Sequence, residues 1–161
     1  MLLFGKESIM SKFNKITHIT SVHKRYDSRI FLKQCTSLAK KKFYEVNLIV
    51  ADSLGDEIKN NVNIYDIGIY KNRIQRMRKG SKDIFSMASK IDSDIYHIHD
   101  PELIYVGLKL KFLGKKVIFD SHEDVGQDIM VKKWIPYPLR YVTSILYQVF
   151  ESFSCRFFDG I

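Results

Sequence analysis

Residues 95–124 read IYHIHDPELIYVGLKLKFLGKKVIFDSHED. Two apolar runs, 95–98 and 116–120, flank a stretch of helical character, 102–113. Runs this short suit buried strands and fall well below the length of a helix. Pro101 has a preset φ and lacks a backbone N–H, so it fits a first helical position; Gly114 stops the helix. Strand, helix and strand in this order form the unit that joins two parallel neighbours of one sheet.

The same pattern extends outward. Residues 15–20 (KITHIT) alternate with a period near two, and 45–51 (EVNLIVA), 62–69 (VNIYDIGI) and 157–161 (FFDGI) read as further strands. Between the first two strands, 29–42 carries Ile30, Phe31, Cys35, Leu38 and Ala39 on one stripe, with Asp27 or Ser28 to cap it. Residues 52–61 (DSLGDEIKNN) read as a turn-rich loop, 82–91 as a helix, and 139–155 as a long amphipathic helix behind Pro136 and Pro138. The alternation predicts an α/β domain: a Rossmann-like, mostly parallel sheet with helices on both faces.

The chain has 161 residues, 45% hydrophobic and 27% charged, which suits one globular domain and excludes collagen-like or wholly disordered classes. Residues 1–13 read as a loose N-terminal extension and 14–161 as the domain. Cys35 and Cys155 are too few for a disulfide scaffold or a four-cysteine zinc site. The chain shows neither an export signal nor an apolar run of about eighteen residues, so a cytoplasmic place is expected. The net charge of +8 favours anionic partners: nucleic acid, lipid headgroups or a phosphorylated small molecule. No helix-turn-helix, RNP motif or zinc finger supports nucleic acid.

In open parallel sheets, ligands bind beyond the carboxyl ends of the strands. Three polar clusters follow predicted strands: His23–Arg29, His99–Glu102 and Asp120–Asp124. The first sets Arg25 and Arg29 near a helix start, where free N–H groups and the dipole favour an anion; a solvated loop with a capped helix fits as well. In the second, Asp100 and Glu102 serve either a substrate or the helix itself, as cap and dipole complement. His97 and His99 share a strand face but are a weak metal signal alone, and no metal is expected. In the third, His122 beside Asp120, Glu123 and Asp124 suits hydrogen bonding to a hydroxyl or phosphate, or a structural role. No GxGxxG, GxxxxGK[ST] or G-x-S-x-G occurs.

Residues 19–52 (ITSVHKRYDSRIFLKQCTSLAKKKFYEVNLIVAD), 96–124 and 132–140 (KKWIPYPLR) resemble the N-terminal part of bacterial retaining glycosyltransferases of family 4, formerly group 1. The resemblance runs from about Lys15 to Ile161 and implies one half of the two-domain GT-B architecture, the acceptor-side half. The donor-binding half, with its paired glutamates, lies outside this sequence. It implies catalytic roles for His122 and Asp100, and substrate contacts for Arg25, Asp27, Arg29, His99, Glu102, Asp120 and Glu123. The loop holding Arg25, Asp27 and Arg29 lacks the glycines common in relatives. The implied partners are a nucleotide-sugar donor, used as co-substrate without a further cofactor, a saccharide or lipid-linked acceptor, and a C-terminal domain. The implied setting is surface-polysaccharide assembly (capsule, O-antigen or exopolysaccharide). A non-catalytic, truncated remnant or binding module of the same fold is the competing reading.

Two further features bear on membranes. The basic run 71–82 reads either as a solvated loop or as a surface for anionic lipid at the inner face of the cytoplasmic membrane, at about 1 kcal/mol per charge. The aromatic helix, with Tyr141, Ile145, Tyr147 and Phe150, reads as core before it reads as a membrane anchor.

Overall fold

A computed structural model describes residues 15–121, 125–133 and 135–161. The strands are β1 (Lys15–Ile19), β2 (Glu45–Val50), β3 (Glu57–Lys59), β4 (Val62–Asp66), β5 (Ile95–Ile98) and β6 (Lys116–Phe119). The helices are α1 (28–39), α2 (73–91), α3 (101–112), α4 (Val125–Val131) and α5 (Tyr137–Cys155). One sheet runs in the order β3-β4-β2-β1-β5-β6. All neighbours are parallel except the β3–β4 pair. The strand order reverses direction between β1 and β5, which opens a crevice at their carboxyl ends.

Side-chain alternation along the strands builds two apolar layers. On one face, Ile19, Ile49, Tyr96, Ile98, Val117 and Phe119 pack against Ile84 and Ala88 of α2 and Leu103, Ile104, Val106 and Leu110 of α3. On the other, Val46, Leu48, Val50, Val62 and Ile64 pack against Ile30, Phe31, Cys35 and Ala39 of α1. Helices therefore cover both faces of a mostly parallel sheet, as expected.

Local chemistry sets the element ends. Asp27 caps α1, accepting from the Arg29 and Ile30 backbone N–H groups at 2.9 Å each. Pro101 opens α3, and Gly114 at φ +78° closes it, in a left-handed conformation that glycine adopts without strain. The Gly114 N–H reaches Lys111 O at 2.9 Å and the Lys115 N–H reaches Leu110 O at 3.1 Å.

Four expectations need correction. The loop at 52–61 contains β3, turned back onto β4 by Asn60 and Asn61 at φ 52° and 60°. Asparagine tolerates that region and suits a two-residue hairpin turn. The basic run 71–82 is mostly helical: α2 begins at Arg73, with the Asn72 side chain accepting from the Gln75 N–H at 2.9 Å. The final strand is reduced to a single parallel bridge, Gly160 beside Ile118. Finally, α5 is not core. Only Ser144 and Ser154 are buried in it, while Leu139, Tyr141, Val142, Leu146, Val149 and Phe153 stand exposed. None of the helices among the described residues is long and apolar enough to cross a membrane.

Candidate functional site

The carboxyl ends of β1, β5 and β6 bring parts of all three polar clusters together. Asp100 follows β5 and is buried, 2% exposed. Its carboxylate turns away from the α3 N–H groups, so it does not cap that helix. Instead it accepts from Thr20 Oγ1 at 3.0 Å, from the Ser21 N–H at 2.5 Å and from Ser21 Oγ at 3.1 Å. His23 Nε2 lies 3.5 Å from the other carboxylate oxygen. Burial pushes the Asp100 carboxyl above its ordinary range, although the Ser21 and Thr20 donors and His23 pull the other way.

Glu102, at the start of α3, takes a forked pair from Arg76: Nε to Oε1 at 2.6 Å and Nη2 to Oε2 at 3.1 Å. Ser21 Oγ also lies 2.7 Å from the same carboxylate, so its one hydroxyl proton is shared between Asp100 and Glu102. Ser21 thus bridges Asp100 and Glu102, and Arg76 folds inward from the basic run that was expected to face solvent or lipid. The Glu102 carboxylate holds the Arg76 guanidinium firmly charged, above its ordinary value.

Asp120, at the end of β6, is a second hub. It pairs with Arg29 and accepts from Gln34 Nε2 at 3.3 Å. His99 Nδ1 lies 3.2 Å from it, and His99 Nε2 lies 3.0 Å from His18 Nδ1. His99 is fully buried, and so is His18, whose pKa falls well below the ordinary value because burial, then His97 and His99, disfavour its charge.

Two of the predicted residues have settled structural partners. Arg25 is 4% exposed, and its fork closes on Asp52 at 2.8 and 2.7 Å, with Glu57 Oε1 at 2.8 Å and Gly55 O at 2.8 Å. Those donors are spent inside the protein, so Arg25 pins the 52–57 loop and is not presented to an external anion. The expectation of anion binding by Arg25 is corrected on that ground. Asp27 fills the N-terminal N–H groups of α1 with its own carboxylate, which occupies the place an anion would take there. His122 and Glu123, like the extension at 1–13, lie outside the described residues.

Sequence reasoning missed Thr20, Ser21, Arg76 and His18. The signal for the first two was position alone: they directly follow β1. Arg76 gave no local sign of its inward turn. His18 shares a strand face with Ile16 and sits opposite His97 in the sheet register.

Beside this rim lies a cleft of about 610 Å³. Asp100, Glu102 and Arg76 edge it, with Arg73, Asp128 and Lys132 as further charges. Its apolar lining includes Met77, Tyr105, Val125, Ile129, Tyr147 and Phe150 from α2, α3, α4 and α5. Acids and bases on one side and aliphatic or aromatic walls on the other suit an amphipathic ligand.

No protein-family model matches the sequence, and no curated protein does. Among solved structures, a sucrose-phosphate synthase from Thermosynechococcus elongatus is similar, with a TM-score of 0.58 and 11% identity. The likeness covers 84% of this chain and 39% of that one. The two share a fold over that region: the chain spans about two fifths of the synthase's length.

Proposed function

We propose that this chain is the acceptor-side domain of a glycosyltransferase that moves a sugar from a nucleotide-sugar donor to a saccharide or lipid-linked acceptor. The observation that carries the reading is the cleft itself. Asp100, Glu102 and Arg76 stand on its edge, at the carboxyl rim of a sheet shared with part of a sucrose-phosphate synthase, a GT-B glycosyltransferase. The resemblance of residues 96–124 to family 4 enzymes supports the same class, and surface-polysaccharide assembly as the setting.

The chemistry is consistent. Glycosyl transfer builds positive charge on the sugar and negative charge on the departing diphosphate. The acceptor hydroxyl needs a hydrogen-bond acceptor near the reacting carbon, and a buried carboxylate with a raised pKa suits that proton. Asp100 fills this role, with Thr20, Ser21 and His23 fixing its orientation. Arg76 and Glu102 shape the acceptor side, and Arg73 and Lys132 attract a phosphate-bearing carrier. A donor-binding domain supplies the remaining contacts to the leaving diphosphate. The exposed apolar side of α5, with Arg156 at its end, supports contact with an anionic membrane surface.

The test is turnover. The chain, alone and joined to a donor-binding domain, is mixed with nucleotide sugars and polyprenyl-diphosphate-linked saccharides. Transfer in the joined form, reduced at least about a hundredfold by Asp100→Asn, supports the reading. Neither transfer nor acceptor binding in either form overturns it and favours the non-catalytic module.

A further inference from the structure

The geometry points to a binding site for one divalent transition-metal ion of the zinc class, formed by His18, His97 and His99. It is independent of the glycosyltransferase reading.

Topology makes the trio. β1 and β5 are parallel neighbours, and His18 lies opposite His97. The period of two then puts His99 on the same face as His97. One possible ligand atom from each residue lies within 4.8 Å of the others. Ring centroids are 4.9 Å apart for His18 and His97, 4.4 Å for His97 and His99, and 5.3 Å for His18 and His99. A tetrahedral ion with ligands at about 2.0–2.1 Å sets its nitrogens roughly 3.4 Å apart, so modest ring rotation closes the site.

Two observations go beyond proximity. His99 Nδ1 faces the Asp120 carboxylate at 3.2 Å, and Asp120 is itself held by Arg29 and Gln34. A carboxylate behind a histidine fixes the tautomer and turns the other nitrogen toward a metal. His99 Nε2 is thus a lone pair; it accepts from His18 Nδ1 at 3.0 Å, and the ring rotation that closes the site exchanges that contact for the ion. His18, wholly buried, has its Nε2 without a hydrogen-bond partner. With its Nδ1 proton given to His99, His18 keeps a bare Nε2 lone pair in a buried place, costly while unmatched and available to an ion. His97 is partly exposed and gives the ion its way in. The apolar layer under α1 lies over β2 and β4 and does not include His97. Three imidazoles select zinc, cobalt, nickel or copper over magnesium or calcium, and leave a coordination position open.

The experiment uses the full chain without an affinity tag, stripped with chelator and titrated with Co²⁺ while visible absorption is followed. The expected result is one Co²⁺ per chain with intense d–d bands, bleached by one equivalent of Zn²⁺. His97→Gln abolishes the bands with an unchanged far-ultraviolet circular dichroism spectrum, and His23→Gln keeps them. A parallel measurement needs no variant: Zn²⁺ shifts the ring-nitrogen resonances of His18, His97 and His99 in a ¹⁵N-histidine sample, and leaves those of His23 and His122 in place. Absent bands, bands that survive in His97→Gln, or shifts confined to His23 or His122 overturn the inference.

Discussion

Arg25 and Asp27 sit two residues apart and show how a side chain that reads as ligand-binding is used by the fold. Arg25 draws the Asp52 carboxyl below the ordinary carboxylate range, chiefly through direct hydrogen bonds. The unfolded chain therefore protonates Asp52 at a higher pH than the native chain does. The stability this provides is complete above about pH 3.9, the ordinary aspartate value, and drains away as pH falls below it. Urea unfolding midpoints should drop as pH is lowered below about 4, and drop less in Arg25→Met. At neutral pH that variant should lose about 2–3 kcal/mol, less than a fully buried pair because Asp52 keeps some solvent. Asp27→Ala should cost about 1 kcal/mol in the same assay, the usual value of an N-cap. The cap was legible in the sequence and the Arg25 role was not. The cap was one of two local options, and the Arg25 partners lie far along the chain, at positions no spacing rule identifies.

At the scale of elements, legibility followed period and length. The unit at 95–120 was read within a residue or two because Pro101 and Gly114 punctuate it. β3 was missed because three residues carry no period, although Asn60-Asn61 is a turn signal in hindsight. The amphipathic helix at 139–155 was correctly bounded but wrongly placed in the core, since a stripe states that one face is apolar and not what covers it. Close packing of α3 on the sheet gives the sharpest element-level prediction. A Cβ on Gly107 would come 2.8 Å from Ile98 Cδ1 and 3.0 Å from the Phe158 ring. Gly107→Ala should therefore destabilise by about 1–3 kcal/mol through overpacking, read from the thermal midpoint. For α5, the exposed apolar side should bind vesicles containing anionic lipid, weakly in high salt. Leu146→Glu with Val149→Glu should reduce that binding at least tenfold in a sedimentation assay, because an apolar face is replaced by like charge to the lipid.

For the molecule as a whole, the sheet order converts separate sequence clusters into one rim. The reversal between β1 and β5 sets Thr20 and Ser21 against Asp100, and β6 beside β5 sets Asp120 against His99. That much follows from a fold rule applied to the strands. The cleft did not follow, because its far wall comes from α4 and α5, whose docking depends on tertiary contacts such as Ser144 Oγ donating to Gly126 O at 2.8 Å. The account stands or falls on whether this cleft takes the acceptor. The most direct measurement is amide and methyl chemical-shift mapping of the chain during titration with a polyprenyl-diphosphate-linked saccharide. The account predicts saturable shifts at Tyr105, Ile129 and Phe150 and at the Asp100–Glu102 turn, with Lys59 on the hairpin unmoved. Saturable shifts elsewhere on the surface, or none at all, would contradict it.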